Sequence, residues 1–327
     1  MKSGRSIVLI TGASGFVGRH LSPVLADDGW LVRRAVRRLP SGPDDVVIES
    51  IGSDTAWSAA LEGVEAVVHL AARVHHPHEE HATELYRSIN TEGTLHLARC
   101  AARAGVRQFI FVSTILVHGR TNDGRAPFSE RDALTPQGLY GQSKAAAEAG
   151  LMNLAQDSDM SITVIRPPLV YGSGAKGNFA LLARAVKLGI PLPFAAIRNH
   201  RAFLSVENLA SFISMQLLKP VGQFEIFLVA DAEQVSTPDF IRRLARAAGT
   251  RSRLFPMPTS LLSTVLTISG RQEAHDSLIG SLELDLSKAA STGWQPKVTL
   301  DEGLQLALAT PDAGQAEAQA LRMTGSG

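Results

Sequence analysis

Thr11-Gly12-Ala13-Ser14-Gly15-Phe16-Val17-Gly18 follows directly on an apolar run at 6–11 and opens into a helical pattern with Leu21, Val24 and Leu25 on one face. Gly12 permits a tight turn, Gly15 lets an anion come close to the backbone, and Gly18 lets the helix pack against the strand. The helix start then offers free N–H groups, so strand, turn and helix together read as a cradle for the pyrophosphate of a dinucleotide. Ser14, Phe16 and Val17 are expected to line it alongside the three glycines.

Outward from this turn, short β-branched runs alternate with longer helical patterns. Strands are expected at 6–11, 31–36, 46–48, 66–70, 108–113 and 162–166, with helical stretches at 85–104 and 140–156 between them. Brief, wholly apolar strands separated by helices long enough to cross over predict an α/β fold: a Rossmann-like, doubly wound parallel sheet. After Pro167 and Pro168 the alternation weakens, and a smaller C-terminal α/β region for substrate is expected. The dinucleotide domain is placed at 1–168 with 202–230 returning to it, the substrate region at 169–201 and 231–310, and a disordered tail at 311–327. Helices at 206–218 and 238–248 and a strand at 225–229 complete the reading.

The chain has 327 residues, 45% of them hydrophobic and 19% charged, which fits a globular protein with a substantial core. A net charge of +1 gives no concentrated basic surface, so nucleic acid is not expected as a partner. The single cysteine, Cys100, cannot form an internal disulfide, which fits a reducing, cytoplasmic setting. No apolar run approaches the about 20 residues that a membrane span needs. His75, His76, His78 and His81 lack an ordered ligand spacing and read as a solvated loop, so no metal is expected.

The second strand ends at Val36, near the place where an acidic residue usually grips the ribose of NAD. Arg37 and Arg38 follow instead, which favours the 2′-phosphate of NADP(H) while leaving NAD(H) possible. Tyr140 and Lys144 stand one helical turn apart in Tyr-Gly-Gln-Ser-Lys and project from one face. An ammonium close to a phenol favours the phenolate and would move the tyrosine toward acid–base work near neutrality. The strand at 108–113 delivers the hydroxyl of Thr114 to the carboxyl edge of the sheet, and Thr114, Tyr140 and Lys144 form the candidate catalytic set.

Taken with HLAA at 69–72, NTEGT at 90–94, IRPPLVYG at 165–172, RAFLSVENLA at 201–210 and DLSKAASTGWQP at 285–296, these residues resemble the extended short-chain dehydrogenase/reductases, the epimerase/dehydratase branch acting on nucleotide sugars. The resemblance implies that Leu70, Ala71, Ala72, Asn90, Pro167 and Leu169 border the cofactor with Arg37, Tyr140 and Lys144. It also implies that Asn178, Phe179 and Arg201 meet the substrate beside Thr114, and that the protein is a homodimer. Ile115-Leu116 stands where 4,6-dehydratases carry an Asp-Glu pair, so dehydration is disfavoured. His118 replaces a usual tyrosine, and Ser50 an aspartate near adenine. The wording is most similar to bacterial UDP-N-acetyl-quinovosamine dehydrogenases, or UDP-sugar 4-ketoreductases of surface-polysaccharide synthesis, with UDP-glucose 4-epimerases next. The expected reaction is hydride transfer at C4 of a UDP-linked hexose or 6-deoxy-4-ketohexose.

Overall fold

Five consecutive apolar or β-branched residues make β1 (Ile7–Thr11), and burial on both faces explains why none of them is charged. The computed structural model describes residues 5–38, 40, 42–74, 82–268 and 272–309. The histidine loop at 75–81 and the segment 311–327 therefore lie outside the described residues. The other strands are β2 (Leu31–Val36), β3 (Asp45–Val47), β4 (Val64–His69), β5 (Gln108–Val112), β6 (Ser161–Arg166), β7 (Leu169–Tyr171), β8 (Phe203–Ser205) and β9 (Phe224–Leu228).

Seven of them form one sheet in the order β3-β2-β1-β4-β5-β6-β9, and every pairing is parallel. The chain runs outward from β1 to β3 and then crosses back to β4, so its direction of travel reverses between β1 and β4. A crevice opens beyond the carboxyl ends of strands at such a switch point. Here it is bordered by the Gly12 turn and by the segment after His69.

Alternation along each strand feeds two cores. Val8 and Ile10 face a layer in which Leu21 and Leu25 of the helix Phe16–Asp27 pack with Phe212, Ile213 and Leu217 of the helix Val206–Leu218. Leu9, Val67, Phe109 and Phe111 face the other layer, against Leu97 and Ala101 of Gly93–Arg103 and Ala147 and Leu151 of Gly138–Gln156. Cys100 is half-buried against this second layer. The expected helix at 85–104 is present but changes winding, with a π-helical stretch at Arg87–Glu92.

The chain after β6 adds β7 and β8, which pair in parallel as a separate two-stranded sheet. Neither was expected, because the alternation weakens in the Gly- and Pro-interrupted stretch after Pro168. Tyr171, Phe179, Phe203 and Phe240 build a third core beside them, with the Phe203 and Phe240 rings stacked at 4.0 Å. β9 returns to the large sheet next to β6.

A buried polar knot ties these parts together. Asp231 accepts from Tyr171 Oη at 2.8 Å, from Ser205 N at 2.9 Å and from Asn208 Nδ2 at 2.7 Å. Asn208 exchanges two further bonds of 2.9 Å with the backbone of Val298. Burial nonetheless holds the Asp231 carboxyl above its ordinary range. Replacing Asn208 by Ala removes one of the three donors to Asp231 and leaves the Val298 main chain without its two side-chain bonds, and is expected to cost roughly 2–3 kcal/mol, read as a lower urea midpoint with an unchanged slope.

Candidate active site

The carboxyl ends of β1 and β4 are sewn together by a one-way chain of hydrogen bonds. Thr94 donates its hydroxyl proton to the Asn90 carbonyl at 2.7 Å, so at 2.9 Å it must accept from His69 Nε2. His69 Nδ1 then accepts from Thr11 Oγ1 at 2.7 Å, and Thr11 Oγ1 in turn accepts from Ala71 N at 3.3 Å. The imidazole is therefore neutral and of fixed tautomer. Burial, followed by the nearby Lys144 charge, pushes its pKa down to about 3.

This stitching sets the shape of the glycine turn. Gly12 has φ +71°, and a Cβ there would lie 2.8 Å from Ala71 N. A Cβ on Gly18 would lie 2.4 Å from the Gly12 carbonyl oxygen and 2.5 Å from Ala13 Cα, so only glycine lets the helix start this close to the strand. The helix Phe16–Asp27 begins at Gly15 with no side-chain cap and no acidic residue in its first turn. Ser14 and Gly15 are exposed, and Phe16 and Val17 half-buried. An uncapped helix start beside a close-packed glycine turn fits a pyrophosphate in both geometry and sign.

The arginines of β2 divide into two pairs. Arg33 donates to the carbonyls of Ala60 at 3.0 Å and Glu62 at 2.6 Å, and Arg34 forms a two-pronged ion pair with the buried Asp45 carboxylate at 2.6 and 3.0 Å. Both serve the sheet edge. Arg37 and Arg38 lie beyond the strand's end and are exposed.

Tyr140 and Lys144 stand on the helix Gly138–Gln156, and the glycine between them is what brings that helix to β5. A Cβ on Gly141 would lie 2.9 Å from the Leu116 carbonyl oxygen, which also accepts from Gln137 N at 3.1 Å. Thr114 is held at the same place, its hydroxyl accepting from Leu116 N at 3.3 Å. The fully buried Lys144 donates to the Val112 carbonyl at 2.8 Å, lies 4.3 Å from the centre of the Phe111 ring and 5.9 Å from that of Tyr140. The structure thus brings Thr114, Tyr140 and Lys144 to one corner.

The sign of the tyrosine shift differs from the sequence expectation. Burial, followed by the neighbouring Tyr86, pushes the Tyr140 phenol up to about 12. The ammonium that was to lower it is turned toward Val112, and burial brings Lys144 down to about 7 against the opposing charge of Glu148. The phenol is accordingly held in its neutral, proton-bearing form.

Several expected contacts prove to be occupied by protein. Asn90 is fully buried in the π-helical stretch, donating to Arg73 O at 2.9 Å and Ser143 Oγ at 3.0 Å and accepting from Arg73 N at 2.7 Å. Its amide clamps the segment after β4 to the Tyr140 helix and spends both N–H donors within the protein. Pro167 is buried and its carbonyl accepts from Ile115 N at 2.9 Å, whereas Leu169 is exposed. Leu70, Ala71 and Ala72 are half-buried along the crevice.

Among the expected substrate residues, Asn178 is exposed at the first turn of the helix Asn178–Lys187. Phe179 turns its ring into the aromatic core, 5.7 Å from the Tyr171 ring, so only its main chain is free to meet a substrate. Arg201 is no surface cation: it is buried and donates to the carbonyls of Asp276 at 2.9 Å and Gly280 at 2.6 Å. Ile115 is buried with Phe128 and Leu284, so no carboxylate occupies the place where a dehydratase would need one.

Sequence reasoning missed a buried cluster directly behind this corner. Glu148 accepts from Ser113 Oγ and forms an ion pair with Arg166 at 2.5 Å, and Arg166 meets His118 Nε2 at 2.7 Å. The available signal was a glutamate one turn beyond Lys144 and an arginine ending β6 before a proline. A separate groove of about 660 Å³ lies at the opposite, amino end of the sheet between Arg99, Arg107 and Met160, away from all these residues. Among the described residues there is no cluster of metal-ligating side chains and no helix long and apolar enough to cross a membrane.

Known proteins share this arrangement over most of the chain. A UDP-glucose 4-epimerase of Vibrio cholerae is 39% identical over 306 residues, covering 91% of this chain and 93% of that protein. An N-acetyl-α-D-glucosaminyl-diphospho-ditrans,octacis-undecaprenol 4-epimerase of Escherichia coli O157:H7 is 26% identical, covering 92% and 94%. The crystal structure of the Thermus thermophilus UDP-glucose 4-epimerase in complex with NAD superimposes with a TM-score of 0.73 at 23% identity, over 92% of this chain and 97% of that one. Residues 8–230 match the sequence profile of one enzyme family, and with the glycine turn, the parallel sheet and the tyrosine–lysine helix in place the chain belongs to it: the NAD dependent epimerase/dehydratase family.

Proposed function

We propose that the protein is a nucleotide-sugar oxidoreductase acting at C4 of a UDP-linked hexose or 6-deoxy-4-ketohexose, with net 4-ketoreduction as its reaction. The dinucleotide would lie on residues 1–168 and 202–230, and the sugar nucleotide on 169–201 and 231–310. When bound, the dinucleotide supplies or accepts the hydride. Tyr140 holds the proton for the sugar C4 oxygen, Thr114 offers that oxygen a hydrogen bond, and Lys144 provides positive charge beneath both. Asn178, the main chain at Phe179 and Arg201 would meet the diphosphate, Arg201 by exchanging carbonyl partners for phosphate oxygens.

The observation that carries the redox reading is the placing of Tyr140 and Lys144 one turn apart on a single helix at the end of β5, where a phenol can exchange a proton with a sugar oxygen in either direction. Arg37 and Arg38 support a dissociable NADP(H), since Arg33 and Arg34 are already engaged at the sheet edge. A second reading, 4-epimerisation with retained NAD, is supported by the activity named for the Vibrio cholerae relative. A homodimer accords with the family resemblance.

Four measurements test these readings. Incubation with NADPH or NADH and a panel of UDP-4-keto sugars is expected to consume cofactor. Purified protein carrying stoichiometric NAD, and interconverting UDP-hexoses without added nucleotide, would select the epimerase instead. Tyr140→Phe keeps the ring and removes the proton, and is expected to lower kcat by about 10²–10⁴-fold with substrate affinity retained. Unchanged turnover would remove Tyr140 as the acid. Replacing Arg37 and Arg38 by Ala is expected to raise KM for NADPH by roughly 10–100-fold while leaving NADH unaffected, and equal changes for both would refute the 2′-phosphate role.

A further inference from the structure

Three consecutive residues leaving β5 are each tied to the Tyr140 helix in a different way. The Val112 carbonyl receives the Lys144 ammonium at 2.8 Å, Ser113 donates its hydroxyl to Glu148, and Thr114 stands at the corner that the Gly141–Leu116 approach creates. Glu148 is one helical turn beyond Lys144 and 3% exposed. Its other partner, Arg166, reaches it through Nε at 3.1 and 3.2 Å and Nη2 at 2.5 Å, and ends β6 immediately before Pro167, whose carbonyl receives Ile115 N at 2.9 Å. A buried ion pair gains little stability over apolar residues of the same shape, so its presence here calls for a reason other than stability.

We propose that Glu148 is a positioning residue for the reaction: anchored by Ser113 and Arg166, it keeps Lys144 charged and fixes the end of β5, with Thr114, against the helix of Tyr140. The inference rests on the reading of Lys144 as the active-site ammonium. An ammonium buried this deeply loses hydration and tends to shed its proton, and a carboxylate one turn away opposes that tendency. Among the described residues around Lys144, Glu148 is the anion that favours its charge. Tyr140 shares its helix, Tyr86 with Arg73 against its ring approaches from the segment before the π-helical stretch, and neutral His69 closes the β4 side. Arg166 lies behind Glu148, and beyond it His118, pushed down to about 4 by burial and by Arg166 against the pull of Asp132. Arg166 thus needs Glu148 as a counter-charge, and the same carboxylate, one helical turn along, favours the charge on Lys144. Ser113 and the guanidinium hold that carboxylate where it serves both.

Lys144 sits near a pKa of about 7, and without Glu148 its proton is lost at still lower pH, so a reaction that needs the ammonium falls off earlier on the alkaline side. Glu148→Gln tests this but leaves Arg166 buried without a counter-ion and can fail to fold. The second variant, Glu148→Met with Arg166→Met, removes both charges together and keeps the volume. The chain has seven lysines, so a ¹³C-lysine titration assigned with Lys144→Arg reads the group directly. In Glu148→Gln the Lys144 midpoint and the alkaline limb of kcat are both expected to move about one pH unit lower, with kcat at pH 8 down roughly tenfold; in the double variant both move the same way by less, because the more distant Arg166 charge is lost too. A Lys144 midpoint unchanged from the parent protein would overturn the proposal and leave the cluster a structural tie. The titration needs no substrate, so a chain that turns over no UDP-sugar counts against the proposed reaction alone.

Discussion

The separation between the first helix and the first strand is the constraint on which the rest of this protein depends. Backbone meets backbone where Gly18 passes Gly12 and Ala13, and again where Gly12 passes Ala71, with no room for a side chain at either place. That closeness aims the uncapped N–H groups of the first helix turn at the switch point of the sheet. The Ala71–Thr11–His69–Thr94–Asn90 chain then carries the same rigidity to the π-helical stretch. A neutral histidine suits this task, because a buried imidazole donates at one nitrogen and accepts at the other without adding charge next to Lys144.

From the π-helical stretch the order passes to the Tyr140 corner. Asn90 binds Ser143, Ser143 caps back onto the Tyr140 carbonyl at 2.8 Å, and Thr91 binds the Ser143 carbonyl at 2.8 Å. The wider winding at Arg87–Glu92 is the local cost of pointing one amide at both the β4 segment and the neighbouring helix. The glycine turn and the Tyr140 corner are therefore parts of one hydrogen-bonded frame, joined through side chains already engaged within the protein.

Much of this was legible in the sequence wherever the signal was local. Strands buried on both faces, such as Ile7–Thr11 and Gln108–Val112, announce themselves as unbroken apolar runs, and the helix Val206–Leu218 has the bounds its pattern gave. The glycine turn and the Tyr140–Lys144 spacing were legible for the same reason. Contacts between distant residues were not. That Arg201 donates to Asp276 and Gly280, that Asn90 bonds Arg73 and Ser143, and that Arg166 meets Glu148 where β6 ends beside that helix are pairings no local pattern names. Charge on a residue predicts an interaction without naming the partner. The direction of the Tyr140 shift was misread on that ground, since the carbonyl that draws Lys144 away belongs to β5.

The outermost position of β9 bears on how the molecule is made. β6 pairs with β5 on one side, and its other edge is covered only when Phe224–Leu228 arrives, some sixty residues later in the chain. Until a ribosome has released that stretch, the growing polypeptide carries an open, apolar strand margin of the kind that sticks to other nascent chains. Synthesis that pauses within the intervening loops and helices prolongs that exposure, and chaperone demand in the producing cell should track the time spent there rather than the stability of the finished enzyme.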